Sequence, residues 1–170
     1  MQDVSFNKKL PEIYDNISRG AFLTVKDKND LNTMTIGWTS IGIIWGLEIM
    51  QVLVRESRHT YQLLESTDEF SVSFVFDDRR DEDLEFCGTK SGRNFDKFAE
   101  RNLDAISGRK ISTPVIGDCD LHYECQIKYK TTLNKRNLAV DVIDSCYQED
   151  DLHTIYFGEI LSCYQEESIQ

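Results

Sequence analysis

Apolar and polar positions alternate with a period of two over much of the chain. In "EFSVSFVF", Phe70, Val72, Phe74 and Phe76 fall on one side and Ser71 and Ser73 on the other, the pattern of a half-buried strand. "LHYECQIKYKTTL" sets Leu121, Tyr123, Cys125, Ile127 and Tyr129 on one face of a longer strand, and "HTIYFGEILSCY" predicts another. Upstream, "AFLTVKD" (Ala21 to Asp27) reads as a strand, and the Asn- and Asp-rich "KNDLN" as the turn after it. "TMTIGWTSIGIIWG" continues with β-branched and aromatic residues broken by Gly37, Gly42 and Gly46. Glycine weakens a strand, so these positions predict bulges or close approach of the backbone to something. "IMQVLVR" (Ile49 to Arg55) is a further apolar run.

Helical spacing is rarer. "TYQLLEST" predicts a short helix with Thr60 as its N-cap. "NFDKFAERNL" spaces Phe95, Phe98, Ala99 and Asn102 or Leu103 as an amphipathic helix, and "NLAVDVIDSCY" predicts one more. Many alternating strands with few short helices predict a mainly β protein, an antiparallel barrel with peripheral α-helices, over a doubly wound sheet. No Gly-x-Gly-x-x-Gly supports a dinucleotide fold of the usual kind. With 170 residues, two prolines (Pro11 and Pro114) and no linker or repeat, the expectation is a single domain over 1–170.

The net charge of −11 repels nucleic acid and anionic membranes unless cations cluster locally. Neither kind of partner is expected. No run reaches the length of a membrane helix and "MQDVSFNKKL" lacks the apolar part of a secretion signal, so a cytoplasmic location is expected. Cys87, Cys119, Cys125, Cys146 and Cys163 are odd in number and irregular in spacing, which predicts reduced, mostly buried thiols. His59, His122 and His153 stand far apart, with no ligand pair on one local element, so no metal site is expected.

Three segments carry candidate chemistry: "NTMTIGWTS" (Asn32 to Ser40), "VRESRHT" (Val54 to Thr60) and "CGTKSGRNFDKF" (Cys87 to Phe98). Arg55, Arg58, Thr60, Ser91, Gly92, Arg93 and Lys97 supply the cations, hydroxyls and backbone donors that hold an anion such as a phosphate. Each segment also has a plainer reading. The arginines can pair with Glu56 and the acidic run "DDRRDEDLE", Thr60 can merely cap a helix, "KSGR" can be a turn, and Trp38 and Trp45 can be core.

Taken in order, the segments resemble the flavin reductase-like, FMN-binding split-barrel family that includes flavoredoxins. The matching residues are Asn32, Met34, Thr35 and Trp38; Val54, Arg55, Arg58 and Thr60; and Cys87, Gly88, Ser91, Gly92, Arg93, Asp96, Lys97 and Phe98. The resemblance runs from about Gly20 to Leu161, mainly as pattern beyond Phe98. It implies a split barrel binding FMN near a homodimer interface, with the backbone of Met34, Thr35, Ile36, Gly37 and Trp38 along the flavin ring. Arg55, Arg58, Thr60, Ser91 and Lys97 would surround the phosphate, and Asn32, Val54, His59, Cys87, Gly88 and Gly92 complete the implied cofactor set. Where the family has prolines this chain has Glu48 and Glu56, with His59 in place of Tyr and Asn94 in place of Asp. Glu56 should face away from Arg55. A lone His59 is expected to be exposed, and Cys87 to pack as a small hydrophobe.

The implied function is an FMN-dependent oxidoreductase moving electrons from a reduced donor, NAD(P)H, to flavin or a redox protein partner, with the chemistry carried by the cofactor. An FMN carrier without NAD(P)H turnover and a flavin-free interaction domain stay open as alternatives. No catalytic acid or base is identifiable in the sequence.

Overall fold

A computed structural model describes residues 1–165. The chain runs β1 (Gln2–Asp3), α1 (Leu10–Asn16), β2 (Ala21–Lys26), β3 (Leu31–Ile36), β4 (Thr39–Ile44), β5 (Leu47–Arg55), α2 (His59–Leu64), β6 (Glu69–Phe74) and α3 (Asp81–Thr89). It continues through α4 (Lys97–Glu100), β7 (Ala105–Ile106), β8 (Val115–Ile116), β9 (Leu121–Thr132), a 3-10 turn at Lys135–Asn137, α5 (Val140–Cys146) and β10 (His153–Gln165). The strands pair antiparallel in the order β3-β2-β6-β9-β10-β5-β4, with β1 added to β10. Leu23, Met34, Val52, Val72, Tyr123 and Tyr156, from six strands along that path, meet in one buried cluster. A sheet whose strands share one interior has rolled into a barrel. Its two terminal strands, β3 and β4, are consecutive in sequence, yet only Gly37 and Trp38 join them and no ladder pairs them. The barrel is split there.

A second buried cluster, Phe22, Val75, Leu84, Cys87, Ile116 and Cys119 with Phe98 against it, lies where α3, α4 and β8 cover the outside of the sheet. This layer corrects the half-buried reading of residues 69–76. Phe70, Val72 and Phe74 do face the barrel, but Ser71 and Ser73 are fully buried too, and Phe76 lies beyond the strand. The Ser71 hydroxyl donates to the Pro114 carbonyl at 2.5 Å, and Ser73 Oγ lies 3.0 Å from His122 Nδ1 and accepts from Ile116 N. Alternation reports two faces; it does not report a second layer.

The helix expected over Phe95 to Leu103 shrinks to the single turn of α4, which follows the Asp96 cap and is succeeded by Asn102 at φ +49°. The longer helix α3 sits in the acidic run. Asp81, Glu82 and Asp83 occupy its first turn, where negative charge is favourable, and only Leu84 and Cys87 are buried apolar anchors. Thr60 is not an N-cap: Arg58 holds that position, and the Thr60 hydroxyl accepts from Asn32 Nδ2 at 2.7 Å. Trp45 and Gly46, both with φ above +50°, form the two-residue turn between β4 and β5, the left-handed conformation such hairpins require. Trp45 is 61% exposed and Trp38 44%, so neither is core. No helix among the described residues is long and apolar enough to cross a membrane.

Candidate functional site

All three chemistry-bearing segments meet at the split. β3 is an edge strand, and edge carbonyls need partners. Buried Lys97 provides one: its Nζ donates to Thr33 O and to Cys87 O, both at 2.8 Å. Thr35 Oγ1 donates to Leu84 O at 2.6 Å, tying the same edge to α3. Lys97 is held in place because Asp96 Oδ1 accepts from Phe98 N and Ala99 N. β5 ends at Arg55, whose carbonyl accepts from Arg58 N at 3.0 Å, and that turn delivers Arg58, His59 and Thr60 beside β3.

Between them lies a small cavity of about 140 Å³. Its lining contains Arg58, Lys90, Arg93 and Lys97 and no carboxylate, in a chain whose net charge is −11. Its donors are only partly spent. Lys97 uses two of three N–H groups, Arg58 gives Nη2 to Gly88 O, and Thr60 and Ser91 accept bonds while keeping their own hydroxyl protons. Burial pushes the Lys97 ammonium down to about 8 and lowers Arg58 as well. Asp151 offsets the burial of Arg58 in part, while no carboxylate among the described residues pairs with Lys97. Gly92 is required: a Cβ there would stand 2.2 Å from Asn32 Oδ1 and 2.8 Å from His59 Cδ2.

An open cleft of about 360 Å³ adjoins this cradle and shares Met34, Ser57 and Arg58 with it. One wall is the run Met34 to Trp38; the other carries Leu53, Arg55, Asp151 and His153. A Cβ on Gly37 would meet nothing within 4 Å, so the backbone there faces free space. Arg55 donates to Asp151 O and Cys146 O and lies 5.2 Å from the centre of the Tyr147 ring. His153 shares a 2.8 Å hydrogen bond with Tyr147 Oη and packs 4.9 Å from Trp38 between ring centres. Burial depresses His153 to about 4, so its imidazole is neutral at pH 7. The result is a slot with aromatic and backbone walls that opens into a cationic end.

Residues 16–170 match the flavin reductase like domain. The chain belongs to that family. A protein of Archaeoglobus fulgidus with no described function is 24% identical over 140 residues, 82% of this chain and 68% of its own length. Among solved structures, the flavoredoxin of Desulfovibrio vulgaris (Miyazaki F) superposes with a TM-score of 0.69 at 19% identity, covering 88% of this chain and 70% of the other. The FMN-binding protein from Thermus thermophilus gives 0.69 at 20% identity, covering 88% and 71%. At these identities the likeness is one of fold, and it matches the antiparallel, mainly β barrel described above.

Within this flavin reductase like chain, Asn32, Met34, Arg58, His59, Thr60, Ser91, Gly92 and Lys97 line the cradle. Thr35, Ile36, Gly37, Trp38 and Arg55 line the slot. Arg55, read from sequence as a phosphate ligand, therefore stands beside the slot and not in the cradle. Val54, Cys87 and Gly88 line neither. Val54 is buried in the barrel, Cys87 is packed between α3 and the sheet with its thiol pushed up to about 11 by burial, and Gly88 contributes the carbonyl that holds Arg58. His59 is only 16% exposed, not free in solvent, because Asp30 binds its Nε2 at 2.7 Å. Glu56 is exposed and lines neither cavity. The acidic run does not pair with Arg55 or Arg58: its Asp77, Asp81, Glu82 and Asp83 are taken by Arg79, Arg19, Arg80 and Arg101. Missed from sequence were Leu53, Ser57, Asp151 and His153 in the slot and Thr89 and Lys90 in the cradle. His153 becomes visible only once β5 and β10 are paired, since its register partner is Arg55.

Proposed function

We propose that this chain is an FMN-binding oxidoreductase that passes electrons from NAD(P)H to flavin or to a redox protein partner. One observation carries the reading: a carboxylate-free cavity with four cations, in an acidic protein, is continuous with an aromatic-walled slot. A flavin mononucleotide joins a large apolar plate to a doubly charged phosphate, and such a ligand wants a dry slot and charged donors at opposite ends. The residues fit that group. Lys97, Arg58, Thr60 and Ser91 would hold the phosphate, and the 34–38 backbone, Trp38 and Arg55 would bound the ring. When bound, the flavin supplies the exchange of hydride and single electrons. The protein orients it, and burial keeps His153, paired with Tyr147, neutral at physiological pH on a wall whose charges are Arg55 and Asp151.

The protein is read as a homodimer in a reducing, cytoplasmic setting. Trp45 and Ile43, each 61% exposed, and Tyr129, 50% exposed, make an apolar face on the outer barrel wall. The Trp45 ring lies 6.2 Å from Tyr129 and 6.0 Å from Phe157 between centroids. A two-fold partner would cover a patch of this kind. All five cysteines are free thiols.

The test is a visible spectrum of the freshly purified protein, titration with FMN and riboflavin, and steady-state oxidation of NADH and NADPH with added FMN. The reading expects FMN to bind more tightly than riboflavin and nicotinamide oxidation to be flavin-dependent. Tight FMN without turnover would convert the assignment to an electron carrier; no flavin binding would end it.

A further inference from the structure

A third cavity adjoins the cradle. It is an open cleft of about 670 Å³, bounded by residues 26–32 around the β2–β3 turn and by residues 92–98, with Leu103 and Ala105. It shares Asn32, Gly92, Arg93 and Lys97 with the cradle and no residue with the slot. From Trp38 back to Leu31 the order is therefore slot, cradle, cleft. A flavin mononucleotide accounts for the first two and not for the third. The lining suits a nucleoside. Phe95 is 38% exposed, and its ring is braced edge-on by Phe86 at 5.8 Å with the cradle's Lys90 Nζ 6.0 Å from its centre. Exposed aromatic rings stack bases. Asn29 and Asn94 are exposed, with side-chain amides unpartnered among the described residues, and such an amide matches the N6 and N7 edge of adenine.

We propose that this cleft is a subsite for an adenosine 5′-phosphate group, the half that flavin and nicotinamide dinucleotides share. The inference rests on the reading of the cradle as a phosphate site. Charge sets the direction in which the group lies. Lys26, Lys28, Arg93 and Lys97 face Asp27, Asp30 and Asp96 across the cleft, whereas the cradle has cations and no carboxylate. The phosphate therefore belongs at the shared end, beside Arg93 and Lys97, and the uncharged sugar and base belong beyond it. The carboxylates are already engaged. Asp27 accepts from Asn29 N, Asp30 N and Ser66 Oγ, Asp30 from Leu31 N while its Oδ2 lies 2.7 Å from His59 Nε2, and Asp96 Oδ1 from Phe98 N and Ala99 N. Asp96 Oδ2 is the one of their six oxygens without a donor among the described residues, and it can accept from a ribose hydroxyl. Lys26 and Lys28 form no ion pair among the described residues.

The experiment measures riboflavin, FMN and FAD affinity by calorimetry, and the rate at which NADH and reduced nicotinamide mononucleotide reduce the FMN-loaded protein. Wild type is compared with Phe95→Ala and with a double variant carrying Asn29→Ala and Asn94→Ala, which alters exposed amides only and so keeps the fold. The expected result is that one dinucleotide is favoured over its mononucleotide by about tenfold or more in wild type, and that this ratio collapses in the variants while FMN and riboflavin affinities hold. The ratio that collapses names the source: FAD over FMN for a flavin dinucleotide, NADH over the mononucleotide for the electron donor. If wild type favours neither dinucleotide, or if both variants leave the ratios unmoved, the adenosine subsite is overturned while the preference for FMN over riboflavin keeps the cradle in place. Equal affinity for FMN and riboflavin in wild type overturns the phosphate site itself, and the subsite with it.

Discussion

Replacing Lys97 by Met should leave the fold intact or stronger while removing the grip on phosphate. The residue is 3% exposed, and burial brings its ammonium from the ordinary 10.5 to about 8. Each unit is worth about 1.4 kcal/mol, so carrying the charge at pH 7 costs the folded state about 3 kcal/mol. The sign follows from which state binds more protons. Between pH 8 and 10.5 the unfolded lysine is protonated and the folded one is not, so wild-type stability climbs with pH through that window. Below pH 8 the full cost applies. Methionine keeps the volume and abolishes the charge, though it leaves Thr33 O and Cys87 O without their donor, which returns roughly 1–3 kcal/mol. Urea unfolding at pH 7 should therefore find Lys97→Met equal to wild type or up to about 2 kcal/mol more stable, and the difference should fall as pH rises to 10. In the same protein FMN affinity should drop about ten- to hundredfold with riboflavin affinity unchanged. A variant several kcal/mol less stable at every pH, or one losing FMN and riboflavin alike, would show the ammonium to be a structural pin and refute the reasoning.

Other consequences are nearer the surface of the structure. Gly92→Ala drives a methyl into Asn32 and His59 and should weaken FMN binding at least tenfold at a stability cost of about 1–3 kcal/mol, read by fluorescence titration and denaturation. Gly158→Ala places a Cβ 2.5 Å from Phe70 Cζ inside the barrel and should cost a similar amount without changing the ratio of FMN to riboflavin affinity. Burial holds His122 and His153 down to about 4, so the unfolded chain binds more protons below 6.5 and stability falls with pH in that window. Between pH 7.5 and 5 each should contribute about 2 kcal/mol of loss, and a urea midpoint that stays constant over that range would show that the imidazoles are not buried.

The strands were legible because a period of two survives burial on one face. β2, β5, β9 and β10 lie close to where the alternation puts them, and the order of the three motif segments pointed to the family. What stayed hidden depended on pairing or on layers. His153 is remote from Arg55 in sequence and adjacent to it in the sheet. Ser71 and Ser73 look like a solvent face until β8 and the segment before it supply their hydrogen-bond partners. α3 was masked because charge fills its first turn and only two apolar side chains anchor it. Asp30, spelled as a turn residue, gains its significance only from the side chain that it holds.

The arginines of this chain fall into two kinds, and the distinction explains how an acidic protein keeps positive charge available. Arg79, Arg80 and Arg101 are neutralised by Asp77, Asp118, Asp120, Asp83 and Glu82. Arg55 and Arg58, and Lys97 with them, are held by backbone carbonyls instead. A carbonyl fixes the position of a cation but carries no net charge to cancel it; Asp151 offsets Arg58 in part, and the carboxylate-free cradle stays positive at short range although the molecule as a whole is negative. Removing one of each kind should separate the two roles. Arg80→Ala strands the buried Asp83 carboxylate with only Arg101 and should cost about 1–3 kcal/mol of stability, leaving flavin affinity alone. Arg58→Ala should lose about ten- to hundredfold in FMN affinity with a smaller change in unfolding midpoint. If the two variants shift both quantities in parallel, carbonyl anchoring does not reserve charge for a ligand, and the cradle's positive lining is a by-product of folding.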